Sequence, residues 1–296
     1  MKRLKPFSYF EPATLKEAIE VLAEKGSSAY PLAGGTDLLV RMKRGEIKPS
    51  ALVNLKRLPG LTQIEKEPAK GLHIGALAKI SAIEHSSWVR SQYPILAEAA
   101  GLLGSPSIRN LGTLGGNIGR ASPASDMVPS LIVLQARAFA QGSQGRKELD
   151  IESFFTGPGT TILSSGEIIT SVFLPILAPR SGAAYLKLGR REGMECALVG
   201  VAAFLTLSEK DHEAQDARVA LAAVAPFPLR PRRAEEVLLS GSLTEDRMRE
   251  AARVAAEEST PITDMRAGAS YRKEMVKVLA SRALEMALQR AQGRRG

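Results

Sequence analysis

The sequence predicts an α+β protein in two parts, and three patterns carry that reading. The first ~60 residues alternate helix and strand, as in a small parallel α/β unit. A glycine-rich middle follows, flanked by strand-like runs. The last third passes through three strand-like segments and then three helical ones, which suggests a separate domain of antiparallel sheet plus helices. A length of 296 residues fits two domains, or one large one, and 44% hydrophobic residues suffice for a substantial core.

Each element has a local cause. In "EPATLKEAIEVLAEKG", Thr14 and Glu17 form a capping-box pattern; Leu15, Ala18, Ile19, Leu22 and Ala23 recur at helical spacing, and Gly26 supplies the stop. "AYPLA" reads as a short strand entering Gly34 and Gly35, "TDLLVRMKRG" as a second helix and "ALVNL" as a strand. From Gly60, "LTQIEKE" and "GLHIGAL" pair as a hairpin, and "SAIEHSSWVRSQYPILAEAAGLL" gives short helices broken at Pro94. Beyond the stretch "SIRNLGTLGGNIGRASPASDMVPSLIVL", "ARAFAQG" and "EIITSVFLP" read as strands, and "APRSG" is the best linker candidate. "AAYLKLGRREG", "ALVGVAAFLTL" and "ARVALAAVA" then read as strands, and "RAEEVLLSG", "TEDRMREAARVAAEES" and "YRKEMVKVLASRALEMALQRA" as helices.

Composition narrows the function. No apolar run approaches the ~18 residues of a membrane span, and the basic start "MKRLKPFSYF" leads into no signal-peptide pattern. The single cysteine, Cys196, rules out an intrachain disulfide and points to the cytoplasm. Together with His73, His85 and His212 it offers no zinc spacing, and the chain lacks the four cysteines of an iron–sulfur cluster. The net charge of +9 permits nucleic-acid binding, but basic residues are dispersed and aromatics reach only 5%. A polyanionic cofactor or acidic partner subunits fit better. Trp88 and the histidines read as packing or surface residues.

Two glycine segments carry the chemistry. A turn between strand and helix points N–H groups outward, and glycines let an anion approach the backbone closely. "AGGTDLL" has that form, with Thr36 adding a hydroxyl; alone it is equally a tight turn. "GTLGGNIG" repeats the Gly-Gly pair at Gly115 and Gly116, so the two segments read either as a grip on one diphosphate from both sides or as two unrelated, packing-driven turns. Neither matches the Rossmann or P-loop fingerprint.

"AGGTDLLVRMK", "TLGGNIGRASPASDMVPSLIVL", "SGEIITSVFLP" and "YLKLGRREGMECALVGVAA" occur in this order over nearly the whole chain. Together they resemble the FAD-binding medium subunit of the xanthine dehydrogenase and carbon monoxide dehydrogenase family of molybdenum hydroxylases. The resemblance implies a two-subdomain FAD-binding domain of the vanillyl-alcohol-oxidase type, with FAD in the cleft between subdomains, then a small α+β C-terminal domain. The division is 1–177 (subdomains about 1–58 and 59–177) and 182–292.

By position, the resemblance assigns Gly34, Gly35, Thr36 and Asp37, flanked by Leu32, Ala33 and Leu38, to a first pyrophosphate loop, and Thr113, Gly115, Gly116 and Asn117 to a second. It gives Asp126 a cofactor contact at the ribose, beside a residue-level reading as the N-cap of the helix that starts near Met127. It sets Ile169 against the cofactor and Lys187 near the flavin ring, where a cation stabilises the reduced ring; the residue-level alternative for Lys187 is an exposed sheet lysine. The loop Arg190–Cys196 would lie beside the ring; Met194, Glu195 and Cys196 stand where family members often carry aspartate.

The implied function is an FAD electron-transfer subunit. A large partner would hold the molybdenum cofactor and a small partner the 2Fe-2S clusters, assembled as a dimer of heterotrimers. The alternatives are a stand-alone FAD oxidoreductase, for which no His or Tyr constellation is evident, and a non-enzymatic basic binding module.

Overall fold

The computed structural model describes residues 4–191, 193–209 and 212–293. The basic start at Met1–Arg3, Glu192 of the 190–196 loop and the last residues of the "GRRG" cluster lie outside the described residues.

The N-terminal unit runs β1 (Ser8–Phe10), α1 (Leu15–Lys25), β2 (Ala29–Leu32), α2 (Leu38–Arg44) and β3 (Ala51–Asn54), with all strands parallel in the order β1-β3-β2. The capping box forms as the sequence predicts. The Thr14 hydroxyl accepts from the Glu17 N–H at 3.2 Å, and the Glu17 carboxylate accepts from the N–H groups of Ala13 and Thr14. Ala18, Ile19 and Leu22 then bury together with Val53 of β3.

The second unit holds β4 (Ile64–Glu67), β5 (Gly71–Gly75), α3 (Ile80–His85), α4 (Ser87–Gln92), α5 (Pro94–Leu102), α6 (Pro106–Arg109), α7 (Leu114–Gly119), α8 (Met127–Val133), β6 (Arg137–Gly142), β7 (Gly145–Asp150), β8 (Phe155–Gly157), β9 (Thr160–Thr161) and β10 (Ile168–Pro175). Five of these strands form an antiparallel sheet in the order β4-β5-β10-β6-β7. Leu72, Ile74, Ala138, Val172 and Leu174 of this sheet share a core with α5 and α8. The polar strand β7 has no apolar alternation and was not legible in the sequence.

The C-terminal unit holds β11 (Ser181–Leu188), β12 (Val199–Leu207) and β13 (Ala214–Ala222), antiparallel in that order, then α9 (Arg232–Leu239), α10 (Glu245–Glu258) and α11 (Ala269–Ala291). All nine residues of β12 are buried. Val199, Val201, Ala203 and Leu205 pack with the C-terminal helices, whereas Ala202 and Phe204 point into the core of the second unit. A strand covered on both faces reads as an unbroken apolar run. The segment 178–182 turns tightly between β10 and β11, with Arg180 at φ 60°.

Candidate functional site

The parallel unit delivers the first glycine segment. β2 ends at buried Leu32, the chain turns through Ala33, Gly34 and Gly35, and α2 begins at Leu38. Gly35 has φ 75°, and a Cβ there would crowd Leu32 and Leu39. The carbonyls of Gly35 and Asp37 accept from Leu39 and Arg41. The N–H groups of Gly34, Gly35, Thr36, Asp37 and Leu38 have no acceptor among the described residues, and this segment is half-buried rather than covered. Five successive N–H donors without a partner among the described residues can receive an anion.

The second glycine segment behaves differently. It is a helix, α7, and not a loop. The Thr113 hydroxyl caps it by accepting from the Gly116 N–H at 3.1 Å. Leu114, Gly115 and Asn117 donate to the carbonyls of Ala78, Ala76 and Thr113. A Cβ on Gly115 would fall 2.7 Å from that of Ala76, so this glycine admits close packing of α7 on the end of β5. The two segments thus differ: the first offers N–H donors without partners among the described residues, and the second is a helix whose backbone donors at Leu114–Asn117 are engaged. Asn117 accepts from the Ser125 hydroxyl at 2.6 Å, tying that helix to the "ASPASD" turn.

The two segments meet. A Cβ on Gly34 would lie 2.2 Å from the Leu111 carbonyl oxygen, so only glycine allows this contact. Thr36 approaches Gly112, and Ala33 approaches Gly116. An ion pair of 2.7 Å joins Asp37 of the first segment to Arg120, the residue that closes α7. Arg120 and Leu111 are site residues that the motif reading missed. Their signal was position alone, since each directly borders the second glycine segment.

Asp126, Tyr185 and Lys187 form a buried knot between α8 and β11. The Asp126 carboxylate accepts from the Tyr185 hydroxyl at 3.0 Å and from Lys187 Nζ at 2.9 Å. The Lys187 ammonium also donates to the carbonyls of Leu102 and Glu195, each at 2.9 Å. Two residue-level readings are corrected here. Asp126 stands at the N-cap position of α8, but its side chain makes no cap bond. Lys187 is no exposed sheet lysine, because its side chain is only 7% accessible. Burial pushes the Asp126 carboxyl above the usual carboxylate range, more than Lys187 and Tyr185 draw it down. Burial and the adjacent carboxylate push the Tyr185 phenol well up. Tyr185 was also missed, although it precedes Lys187 by two and so shares its face of the strand.

Ile169 sits at a bulge in β10, 7% exposed, with its side chain toward Gly119 of α7. In the 190–196 loop, the Met194 N–H donates to the Gly104 carbonyl and Arg191 to that of Met194, while Cys196 is exposed. Among the described residues no cluster of His, Cys, Asp or Glu suits a metal ion, and no helix is long and apolar enough to cross a membrane.

Residues 5–177 match the family described as FAD binding domain in molybdopterin dehydrogenase, and residues 183–287 match the CO dehydrogenase flavoprotein C-terminal domain. The chain belongs to this flavoprotein family. It is 33% identical to the carbon monoxide dehydrogenase medium chain of Hydrogenophaga pseudoflava, over 95% of this chain and 96% of that one. It is also 33% identical to the glyceraldehyde dehydrogenase medium chain of Sulfolobus acidocaldarius, over 94% and 97%. The solved carbon monoxide dehydrogenase of Hydrogenophaga pseudoflava that lacks the Mo-pyranopterin moiety superposes with a TM-score of 0.94 at 34% identity, covering 98% of this chain and 99% of that one. FAD is the cofactor of this flavoprotein family. The residues fit such a group: five unpartnered N–H donors suit a diphosphate, and the braced wall at Gly116 stands opposite them without bulky side chains.

Proposed function

We propose that this chain is the FAD-carrying electron-transfer subunit of a molybdenum-hydroxylase complex. A small partner subunit with 2Fe-2S clusters supplies electrons, a large partner holds the molybdenum cofactor, and an external acceptor takes the electrons away. The complex is a dimer of heterotrimers in the cytoplasm. Relatives named as carbon monoxide dehydrogenase medium chain and as nicotinate dehydrogenase FAD-subunit support this reading, and both align over more than nine-tenths of their length.

The observation that carries it is the row of unpartnered N–H groups from Gly34 to Leu38, set against the second motif. These donors would hold the diphosphate, with Leu32 and Ala33 at the start of the turn and the Thr36 hydroxyl as a further donor. Thr113, Gly115, Gly116 and Asn117 form the facing wall, and Ile169 packs beside it. The Asp126–Lys187 knot ties β11 to the start of α8, and by the family resemblance these two residues would stand near the cofactor's ribose and flavin ring. FAD supplies the exchange between single-electron donors and a two-electron acceptor. A stand-alone oxidoreductase would need a general base of its own, and the Tyr185 hydroxyl is already committed to the Asp126 carboxylate.

Acid precipitation of the purified protein tests the reading. Free FAD in the supernatant at about one per chain is expected, and its absence from the assembled complex overturns it. Gly35→Val should lower FAD affinity at least ~10-fold, because a branched side chain at φ 75° both strains and fills the turn. Titration of apoprotein, beside a melting curve taken without FAD, separates lost affinity from lost folding.

A further inference from the structure

We propose that Arg120 is a positioning and charge-compensating residue for the cofactor diphosphate, held ready by Asp37. The inference rests on the FAD reading above. Arg120 lies immediately after α7, with its own N–H donating to the Gly116 and Ile118 carbonyls, so its backbone is fixed by the second motif. Its guanidinium reaches back to the first motif, where Nε lies 2.7 Å from Asp37 Oδ2. That contact is a charge pair and not an aligned hydrogen bond: Nε is shielded from solvent yet has no hydrogen-bond acceptor. No hydrogen bond leads from the rest of the guanidinium to any described residue either. A planar fork of donors thus stands with its charge matched and no hydrogen-bond acceptor among the described residues, an arrangement suited to a bidentate phosphate.

Asp37 sharpens the argument. Its carboxylate lies in the same segment as the five unpartnered N–H groups, where an unscreened negative charge repels a diphosphate. Arg41 approaches the same oxygen only at 3.9 Å. Arg120 is the nearer cation, so it neutralises Asp37 and adds a donor face to the cradle. Gly159 leaves room for this placement, because a Cβ there would come within 3.3 Å of the guanidinium. Arg120 therefore bridges both motifs and makes the site selective for flavins that carry a diphosphate.

The test is titration of full-length apoprotein with FAD and with riboflavin, which lacks phosphate, for wild type, R120K, R120M and R120M/D37N. R120M is expected to lose FAD affinity by about 10- to 100-fold, the scale of charge-assisted hydrogen bonds. Riboflavin affinity and the melting temperature without ligand should stay unchanged. R120K should retain much of the affinity, and D37N should restore part of what R120M loses. Equal loss of FAD and riboflavin affinity, or a lowered ligand-free melting temperature, makes Arg120 a structural latch and overturns the inference. Unchanged FAD affinity in R120M overturns it too. If wild-type apoprotein takes up no FAD, the functional reading itself fails, independently of Arg120.

Discussion

At the scale of single residues, the Asp126–Lys187 pair shows how position changes meaning. Read as sequence, Lys187 is one of many lysines on a strand. In the folded chain its ammonium satisfies three acceptors contributed by α5, by the turn before α8 and by the 190–196 loop. Lys187→Met should destabilise the protein at pH 7 by about 3 kcal/mol, the scale for orphaning one partner of a buried pair. The pH dependence has a definite sign. The folded Asp126 carboxyl already titrates above its unfolded value, so the fold loses stability as pH rises through that interval. Without Lys187 its titration rises further, so the variant should approach wild type as pH falls and the carboxyl takes a proton. Urea melts at several pH values check this, and a gap that stays constant from pH 7 to 4 contradicts it.

At the scale of elements, α11 is anchored by an arginine that amphipathic patterning hides. Arg272 is 1% exposed near the N-terminus of the helix. It donates to the carbonyls of Leu198 and Ala223 and pairs with Asp264 at 2.8 Å. Burial works against ionisation of Asp264, but the Arg266 side chain, the backbone donors of Arg266 and Ala267 and the Arg272 charge hold it well below the usual carboxylate range. Such a group lends stability above its unfolded value near ~3.9, and the protein loses that contribution as pH falls toward the folded value. Asp264→Asn should cost about 3 kcal/mol at neutral pH and flatten the acid limb of the stability curve. Chemical denaturation at pH 7 and pH 3 measures both effects. A smaller test lies at α1, where Thr14→Ala should cost about 1 kcal/mol through loss of the cap.

At the scale of the molecule, the C-terminal sheet does not stand alone. Its second face completes the core of the second unit through Ala202, Phe204 and Ala220. FAD binding at one end should therefore stabilise the whole chain, and a calorimetric scan should show one transition that moves up with FAD concentration. The charge of +9 bears on assembly. Association with the small and large subunits should slow as ionic strength rises to physiological values, where the Debye length is about 8 Å. Tight binding to duplex DNA or single-stranded RNA, with none to those subunits, overturns the assignment.

Much of the fold was legible because its signals are local. The capping box at Thr14, the Gly34–Gly35 turn between β2 and α2, and the apolar run of β12 each depend on residues within a few positions of one another. The sequence therefore determined the helix–strand alternation from α1 to β3, the strands-then-helices order of the last third and the place of the two glycine segments. β7 stayed hidden because an exposed edge strand needs no apolar alternation. Only the tertiary structure decided which glycines keep open donors. Whether an N–H is free depends on acceptors far along the chain: Ala76 and Ala78 engage those of Gly115 and Leu114, while no described residue engages those of Gly34 to Leu38. Charge pairing is equally non-local: Arg120 meets Asp37, and Lys187 meets Asp126, because packing of the three units brings them within 3 Å of each other.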